Sequence, residues 1–336
     1  MVIGTMAAQT AARLPTAGSV PPLRIVFLGT PAFAVPSLEA LLAAAPHRVV
    51  GVVTQPDRPR GRGQKTSDAP VKARAVEAGI PILQPERMKD PVFLDALAAW
   101  NADLGVVAAY GRILTDAILA IPRLGMINVH ASLLPRYRGA APVHRAVIAG
   151  DTDTGVTIMR VVKALDAGPT IVKEHHPIGP DDTSDEVERA LATIGARLVV
   201  AVVDLMARGN AAEWPQDESL ATYAHRVTKE DGVIDWSCSA NRIHNLIRGL
   251  HPWPHAFSFI DGKRMILRRS AVDTPGASPA APGTIVEADG DRLIVATGDG
   301  LLRLTEIQAE AKRPMNARDF LAGHRLTIGD RFTPAP

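Results

Sequence analysis

Residues 104–130 read LGVVAAYGRILTDAILAIPRLGMINVH, and their pattern of apolar residues indicates the fold class. Residues 104–109 are continuously apolar, which is typical of a strand buried on both faces of a sheet. A short helix is predicted over residues 115–121, and residues 126–130 predict the next strand. A strand, a helix and a second strand in this order indicate an α/β fold with a parallel sheet whose faces are covered by helices.

The same alternation continues in both directions from this stretch. Towards the N terminus, strands are predicted over residues 23–28, 48–54 and 80–83, and helices over residues 35–44, 71–78 and 93–100. Towards the C terminus, strands are predicted over residues 154–161 and 170–176. A long amphipathic helix then begins at a capping box formed by Thr183 and Glu186 and ends near residue 208. Residues 23–209 are therefore expected to form one domain.

The pattern changes after residue 209. Residues 210–222 are polar and are interpreted as a linker. Five short strand candidates follow, at residues 255–260, 264–269, 283–287, 292–297 and 301–307. They predict a smaller, mostly β domain over residues 223–330, either a barrel or a sandwich. Residues 1–22 are expected to be a disordered tail, with an upstream start codon or an organellar presequence as alternatives.

The composition narrows the function classes. The 336 residues are 46% hydrophobic and 21% charged, which is typical of a globular protein that is long enough for two domains. The single cysteine, Cys238, excludes an intramolecular disulfide and a multi-cysteine zinc site. The sequence is expected to contain no stretch that approaches the roughly 20 apolar residues of a membrane span. Because the formal net charge is only +2, a nucleic-acid partner would have to bind a local basic patch.

Polar side chains are concentrated where the strand over residues 126–130 ends. Asn128 and His130 are two residues apart, so on a strand they lie on one face. In parallel sheets, ligands bind beyond the carboxyl ends of the strands, and this pair lies at such an end. An amide can donate to a carbonyl oxygen that becomes negative, and imidazoles exchange protons near neutral pH. The pair therefore predicts a site for chemistry on a carbonyl group.

Other patterns weaken competing classes of protein. Gly29 follows the first strand, but neither the dinucleotide pattern G-x-G-x-x-G nor the phosphate loop G-x-x-x-x-G-K-[ST] is present. A dehydrogenase is therefore disfavoured, and Gly29 is interpreted either as a tight turn or as a residue that faces a ligand. His175 and His176 have no acidic or thiol partners at a metal-ligand spacing, so no metal site is expected.

Several blocks of the sequence resemble the methionyl-tRNA formyltransferase family, over about residues 23 to 330. In the first domain they are RIVFLGTP at 24–31, TQPDRP at 54–59, VAAYG at 107–111, INVHASLLPRYRGAAP at 127–142, TGVTIM at 154–159 and LDAG at 165–168. In the second domain they are IDW at 234–236 and HPWP at 251–254. The Asn-x-His and Ser-Leu-Leu-Pro core is shared with other enzymes that use 10-formyltetrahydrofolate. The TQPDRP loop and the second domain are what favour the tRNA enzymes.

The resemblance implies a Rossmann-like catalytic domain and a C-terminal β-barrel domain of OB-like fold. It implies that a formyl group passes from 10-formyltetrahydrofolate to the methionine amine of methionyl initiator tRNA, for translation initiation. By position, the family's catalytic trio corresponds to Asn128, His130 and Asp166. Its folate-binding segment corresponds to Ser132, Leu133, Leu134 and Pro135. Two residues depart from the family pattern: Ala131 replaces a common glycine, and Pro169 stands where a polar residue is expected.

These residues have chemical roles that follow from their types. Asn128 would donate to the oxyanion, and His130 would carry the proton from the amine to the folate nitrogen. Asp166 would orient the imidazole or favour its charged form, directly or through a water. No metal is needed for this reaction.

A basic, glycine-rich loop is the predicted contact with tRNA. Its cationic side chains are Arg58, Arg60, Arg62 and Lys65. A solvated loop without a partner is the alternative interpretation. A second cluster of Lys and Arg at residues 263–269 and 312–313 is compatible with tRNA contact and with simple surface solvation.

Two other functions stay open at this stage. A formyltransferase for a small amine, such as an amino sugar or glycinamide ribonucleotide, would need neither the basic loop nor the β domain. A non-catalytic RNA-binding protein would keep the basic patches but would not need the catalytic trio. The leading hypothesis also expects a cytoplasmic monomer whose partners are folate and tRNA, with no membrane partner.

Overall fold

The computed structural model of the chain describes residues 20–57, 59–60, 65–66, 68–274 and 279–336. Most of the predicted tail, residues 1–19, lies outside this description. The elements of the N-terminal part are β1 (Arg24–Gly29), α1 (Val35–Ala43), β2 (Arg48–Val53), β3 (Pro59–Arg60), β4 (Lys65–Thr66), α2 (Pro70–Glu77), β5 (Ile82–Leu83), α3 (Pro91–Ala99), β6 (Leu104–Ala108), α4 (Asp116–Leu119), β7 (Met126–His130), β8 (Arg138–Gly139), α5 (Pro142–Ala149), β9 (Asp153–Arg160), β10 (Thr170–Pro177) and α6 (Ser184–Ala207). Those of the C-terminal part are β11 (Tyr223–Ala224), α7 (Ala240–Gly249), β12 (Ala256–Ile260), β13 (Lys263–Thr274), β14 (Ile285–Asp289), β15 (Arg292–Ala296), β16 (Leu301–Ala309), β17 (Met315–Asn316) and α8 (Ala317–Gly323).

One sheet of seven strands forms the centre of the N-terminal part, in the order β10-β9-β7-β6-β1-β2-β5. The strands from β5 to β7 are parallel, and β9 and β10 add an antiparallel edge. Helices α1 and α6 pack on one face of the sheet, and α3 and α4 pack on the other. The predicted α/β class, a mostly parallel sheet with helices on both faces, is therefore confirmed. The chain runs outward from β1 to β2 and β5 and then returns to β6, so the strand order reverses between β1 and β6.

Helix α6 begins at the predicted capping box. The Glu186 carboxylate accepts hydrogen bonds from the hydroxyl and the backbone N–H of Thr183, at 2.6 and 2.8 Å. These hydrogen bonds, together with the nearby Arg269, lower the pKa of Glu186 to about 2. The expectation that no segment resembles a membrane span is wrong for this helix, which is long and apolar enough by length and composition alone. Its apolar stripe lies in the core against the sheet, and 50% of its most apolar window is buried.

The C-terminal part is an antiparallel sheet in the order β12-β13-β16-β15-β14, with β17 paired to β16. All five predicted strands are present. The ladder stays open between β12 and β14, but the segment after α8 bridges these two edges, since Thr333 pairs with Phe259 in β12 and Arg331 pairs beside β14. Phe332 is buried between them and stacks on Trp236, with ring centroids 5.4 Å apart. This arrangement agrees with the predicted small β-barrel.

Helices α5, α7 and α8 are not anticipated by the sequence patterns used above. Helix α5 begins with Pro142 in its first turn, where a missing N–H is harmless, and ends at Gly150 in the left-handed conformation. Helix α7 packs against α5, with Gly249 close to Ile148. The Ser184 hydroxyl also donates to the Gly249 carbonyl at 2.7 Å. These contacts join the two parts of the molecule near the start of α6.

Candidate active site

A cleft of about 670 Å³ lies beyond the carboxyl ends of β1, β6 and β7. This is the point where the strand order of the sheet reverses, and open α/β sheets bind their ligands at such points. The cleft is lined by the turn after β1 and by residues 107, 109–114, 128–131, 139–144, 159 and 161–166, together with Glu188.

Asn128 and His130 both line the cleft, as predicted for two residues on one face of β7. His130 is buried, and its Nε2 lies 3.0 Å from the Tyr137 carbonyl oxygen. Because a carbonyl oxygen can only accept, Nε2 carries the proton of the neutral ring and Nδ1 is the basic nitrogen. The side-chain amide of Asn128 has no hydrogen-bond partner within the described ranges, so it is available to donate to a ligand.

Asp166 approaches His130 from the loop between β9 and β10. Its Oδ2 lies 3.8 Å from His130 Nδ1, which is longer than a hydrogen bond, and it accepts the Gly139 N–H at 2.8 Å. The carboxylate therefore makes no direct hydrogen bond to the imidazole, and the Tyr137 carbonyl is the group that orients the ring. The structure thus brings the three residues of the predicted trio together in one cleft.

The backbone of the Asp166 loop is unusual. Asp166 has a φ of 48°, in the left-handed region that few residues other than glycine adopt. A Cβ on Gly168 would lie 2.0 Å from the Arg160 carbonyl oxygen, so only glycine fits there. Pro169, which departs from the family pattern, accepts the Arg160 N–H at 2.9 Å and so returns the chain directly to the edge of the sheet.

The predicted folate-binding segment does not line the cleft. Ser132 and Leu134 are buried, and Leu133 and Pro135 are partly buried. The Thr157 hydroxyl donates to the Ser132 carbonyl at 2.7 Å and accepts the Leu134 N–H at 3.1 Å. This hydroxyl anchors the turn after β7 to the neighbouring strand β9.

The loops over residues 109–114 and 161–166 also line the cleft, and Asp166 is their only residue for which a role is predicted from sequence. In the first, Gln55 Nε2 donates to the Tyr110 carbonyl at 2.7 Å and supports the turn after β6. Ile113 in that loop and Leu165 in the second are 80% and 57% exposed, so the cleft carries apolar side chains that are open to solvent. The VAAYG and LDAG blocks of the family resemblance were the signal that could have identified these loops.

The titratable side chains of the cleft also include His144 on α5 and Glu188 on α6. Burial lowers the pKa of His144, and Arg145 lowers it further. Burial also raises the pKa of Glu188. Both shifts favour the neutral form, so this part of the cleft is less charged than its residue types suggest. Neither residue belongs to a recognisable motif, so sequence alone gave no reason to select them.

The basic loop is described only in part. Arg58 and Arg62 lie outside the described residues, and for Arg60 and Lys65 the structure gives only their backbone pairing between β3 and β4. In the second basic cluster two arginines form ion pairs, Arg268 with Glu306 at 2.9 Å and Arg269 with Glu186 at 3.0 Å. Within the part of the chain that the structure describes, no group of three or more His, Cys, Asp and Glu side chains could hold a metal ion.

The chain is similar to known proteins in sequence and in fold. Residues 23–203 match the family model described as formyl transferase, and residues 226–325 match the formyl transferase C-terminal domain. The chain is 47% identical over 308 residues to a methionyl-tRNA formyltransferase from Moorella thermoacetica, covering 92% of this chain and 98% of the relative. It is 46% identical over 315 residues to one from a Roseiflexus species, covering 94% and 96%. The solved structure of an N-formyltransferase from Helicobacter canadensis, bound to folinic acid and dTDP-3-aminofucose, shares the fold with a TM-score of 0.64 at 16% identity, covering 84% of this chain and 99% of that one.

Proposed function

This chain belongs to the methionyl-tRNA formyltransferase family, and we propose that it transfers a formyl group from 10-formyltetrahydrofolate to the methionine amine of methionyl initiator tRNA. One observation carries the proposal: the Asn128 amide, which has no hydrogen-bond partner among the described residues, meets the basic nitrogen of His130 and the Asp166 carboxylate in one cleft. The methionyl-tRNA formyltransferases that this chain resembles match more than nine-tenths of its length, 92% in the case of the Moorella thermoacetica protein.

The reaction follows from the groups in the cleft. When the amine attacks the formyl carbon, a C–N bond forms and the carbonyl oxygen becomes negative, and Asn128 donates its N–H to that oxygen. His130 Nδ1 takes the proton that the amine loses, while Nε2 keeps its hydrogen bond to the Tyr137 carbonyl. Asp166 stabilises the imidazolium from 3.8 Å. The bond from the carbon to N10 of the folate then breaks, and His130 returns the proton to N10.

The folate-binding segment is proposed to act by shaping the cleft. Within the segment Ser132, Leu133, Leu134 and Pro135, the backbone of Ser132 and Leu134 holds the end of β7 against β9 through Thr157, and this keeps Asn128 and His130 directed into the cleft. The exposed apolar side chains of Ile113 and Leu165 are suited to pack against the pterin ring.

We also propose that the tRNA is bound through phosphate contacts of Arg58, Arg60, Arg62 and Lys65. In this proposal residues 23–209 form the catalytic domain, residues 210–222 the linker and residues 223–330 the tRNA-binding domain. The protein would act as a monomer in the cytoplasm, where initiator tRNA is charged.

An Arg62→Gln variant should bind tRNA more weakly than the unmodified protein. The slope of log K for tRNA binding against log salt concentration should also be smaller by about one, because one phosphate contact is lost. A tRNA affinity that does not change with salt would contradict the phosphate contacts.

The deciding experiment compares acceptors. Formyl transfer from 10-formyltetrahydrofolate is measured with charged initiator tRNA, free methionine, an amino-sugar nucleotide and glycinamide ribonucleotide. The proposal predicts that kcat/KM for the charged tRNA exceeds that for each small amine by orders of magnitude. A small amine that reacts as well as the tRNA would replace the proposed substrate, and tRNA binding without formyl transfer would replace the proposed enzyme with a binding protein.

A further inference from the structure

The segment between the two parts of the molecule is part of the active-site structure. The carbonyl of Thr222 accepts the Arg138 N–H, and its hydroxyl accepts the Tyr137 N–H, both at 2.8 Å. Strand β11 continues the contact by pairing with β8. This matters because Tyr137 and Gly139 are the residues whose backbone atoms hold His130 and Asp166. The sequence predicts residues 210–222 only as a linker. In the structure, Thr222 in this segment makes hydrogen bonds to the residues that hold the catalytic side chains.

Arg138 holds the same segment through its side chain. Its guanidinium donates to both carboxylate oxygens of Glu218, at 2.7 and 2.8 Å, and to Gln216 Oε1 at 2.8 and 3.1 Å. Arg138 is 1% exposed, and its hydrogen bonds to Glu218 raise its pKa, so a fully charged group is enclosed here. The Gln216 amide therefore has a defined orientation, with its oxygen on Arg138 and its nitrogen directed away from it.

The nitrogen of that amide is bound to the catalytic loop. Gln216 Nε2 donates to the carbonyl oxygens of Asp166 and Gly168, both at 2.8 Å. Among the described residues, no other side chain donates to either carbonyl. Asp166 has the left-handed backbone conformation, which persists only where the surroundings hold it in place. Gln216 supplies such a restraint on both sides of the Asp166–Gly168 turn.

We infer that Gln216 is a positioning residue for the reaction, which keeps the Asp166 carboxylate beside His130 through these two carbonyl contacts. The inference rests on the proposed function, because it takes Asp166 as the group that stabilises the His130 imidazolium. Gln216 itself does not line the cleft. Its effect is therefore expected on turnover and not on substrate binding.

The test uses isosteric changes in the full chain. Gln216→Glu keeps an acceptor for Arg138 and removes the two N–H donors, and Gln216→Met removes all polar contacts without adding charge. Glu213→Gln is the matched control, since Glu213 is in the same segment and pairs with Arg160 at 2.6 Å without contacting the Asp166 carbonyl. Asp166→Ala and the double variant Gln216→Met/Asp166→Ala complete the set. For each protein, kcat, both KM values and the Tm are measured.

The inference predicts that both Gln216 variants lose roughly 10- to 100-fold in kcat with little change in KM, as expected when a catalytic group is misplaced by about 1 Å. Glu213→Gln should keep its turnover, and Gln216→Met should add nothing once Asp166 is alanine. Turnover within about twofold of the unmodified protein in Gln216→Met would overturn the inference. So would a loss that is undiminished in the Asp166→Ala background, because that loss would be structural. If Asp166→Ala alone keeps full turnover, the proposed trio fails, and this result is read without any Gln216 variant.

Discussion

His130 and Asp166 lie 3.8 Å apart, yet different kinds of structure hold them in place. His130 is on β7, a regular strand whose ladder partners are β6 and β9. Asp166 is in a left-handed turn that is held by Gly139 and Gln216, which are 27 and 50 residues away in the chain. The position of a strand residue is set by the local sequence pattern and by the sheet, whereas the position of the turn is set by single contacts with residues remote in sequence. Substitutions on the strand are therefore expected to lower turnover directly, by removing a reacting group. Substitutions that affect the turn are expected to lower turnover indirectly, by displacing Asp166.

The largest effect is expected at the strand. His130→Ala should lower kcat by roughly 10²- to 10⁴-fold, because no other residue of the trio has a basic nitrogen that can accept the proton of the attacking amine. Steady-state formyl transfer to charged tRNA measures this. His175→Ala is the control, since His175 is exposed and pairs only with Asp153. A loss below tenfold in His130→Ala would show that the strand residue does not carry the proton transfer.

Asn128→Ala is expected to follow, with a fall in kcat of about 10²- to 10³-fold, because a single donor to the oxyanion is lost. KM for the folate should change little, since the amide is used mainly in the transition state. Single-turnover rates at saturating substrates separate the two quantities. Asn210→Ala, an exposed amide outside the cleft, should behave like the unmodified protein. If Asn128→Ala raises KM and leaves kcat unchanged, the amide binds substrate and does not stabilise the oxyanion.

The turn is tested through Gly139, which is remote in sequence but donates its N–H to Asp166. Gly139 has a φ of 117°, and an added Cβ would lie 2.8 Å from the Ala224 carbonyl oxygen. Gly139→Ala should therefore displace the N–H that Asp166 accepts, lower kcat about tenfold and destabilise the fold by roughly 1–3 kcal/mol. Gly290→Ala is the matched change, because Gly290 also has a positive φ of 56° but has no atom within 4 Å of an added Cβ. It should cost about 1 kcal/mol of stability and leave kcat unchanged. Equal kcat values for the two variants would mean that the turn does not depend on this remote contact.

The smallest effect is expected at the capping box, a local device outside the cleft. The folded-state pKa of Glu186 is about 2, below the ordinary pKa of 4.5 for a glutamate side chain. Its contribution to stability is therefore fully present above about pH 4.5 and is lost as the pH falls through 2. Glu186→Gln should lower the free energy of unfolding by at most about 1 kcal/mol at neutral pH, because the side chain is partly exposed, and should leave kcat unchanged. Thermal unfolding of both proteins between pH 2 and 7 should show the difference shrinking towards acid. A difference that does not vary with pH would contradict the assigned cause.

The sequence predicted what depends on local pattern. The strand at 126–130, the cap at Thr183 and the five strands of the second sheet were predicted because apolar spacing and capping residues determine them. The grouping of Asn128, His130 and Asp166 was predicted through the family resemblance. The contact of Gln216 with Asp166 was not, because it joins residues 50 apart and no periodicity records such a contact. Helix α5 was also not predicted, because it has only eight residues and no side chain caps its start, so Pro142 is its main local signal.

The bridge formed by Arg331 and Thr333 has a consequence for aggregation. These residues come later in the chain than every strand of the sheet whose edges they join. When this segment is detached, β12 and β14 keep unpaired backbone groups along one side, and such groups are templates for pairing with other chains. The C-terminal sheet is therefore most vulnerable to aggregation in that state, and a chaperone that shields strand edges would act on it.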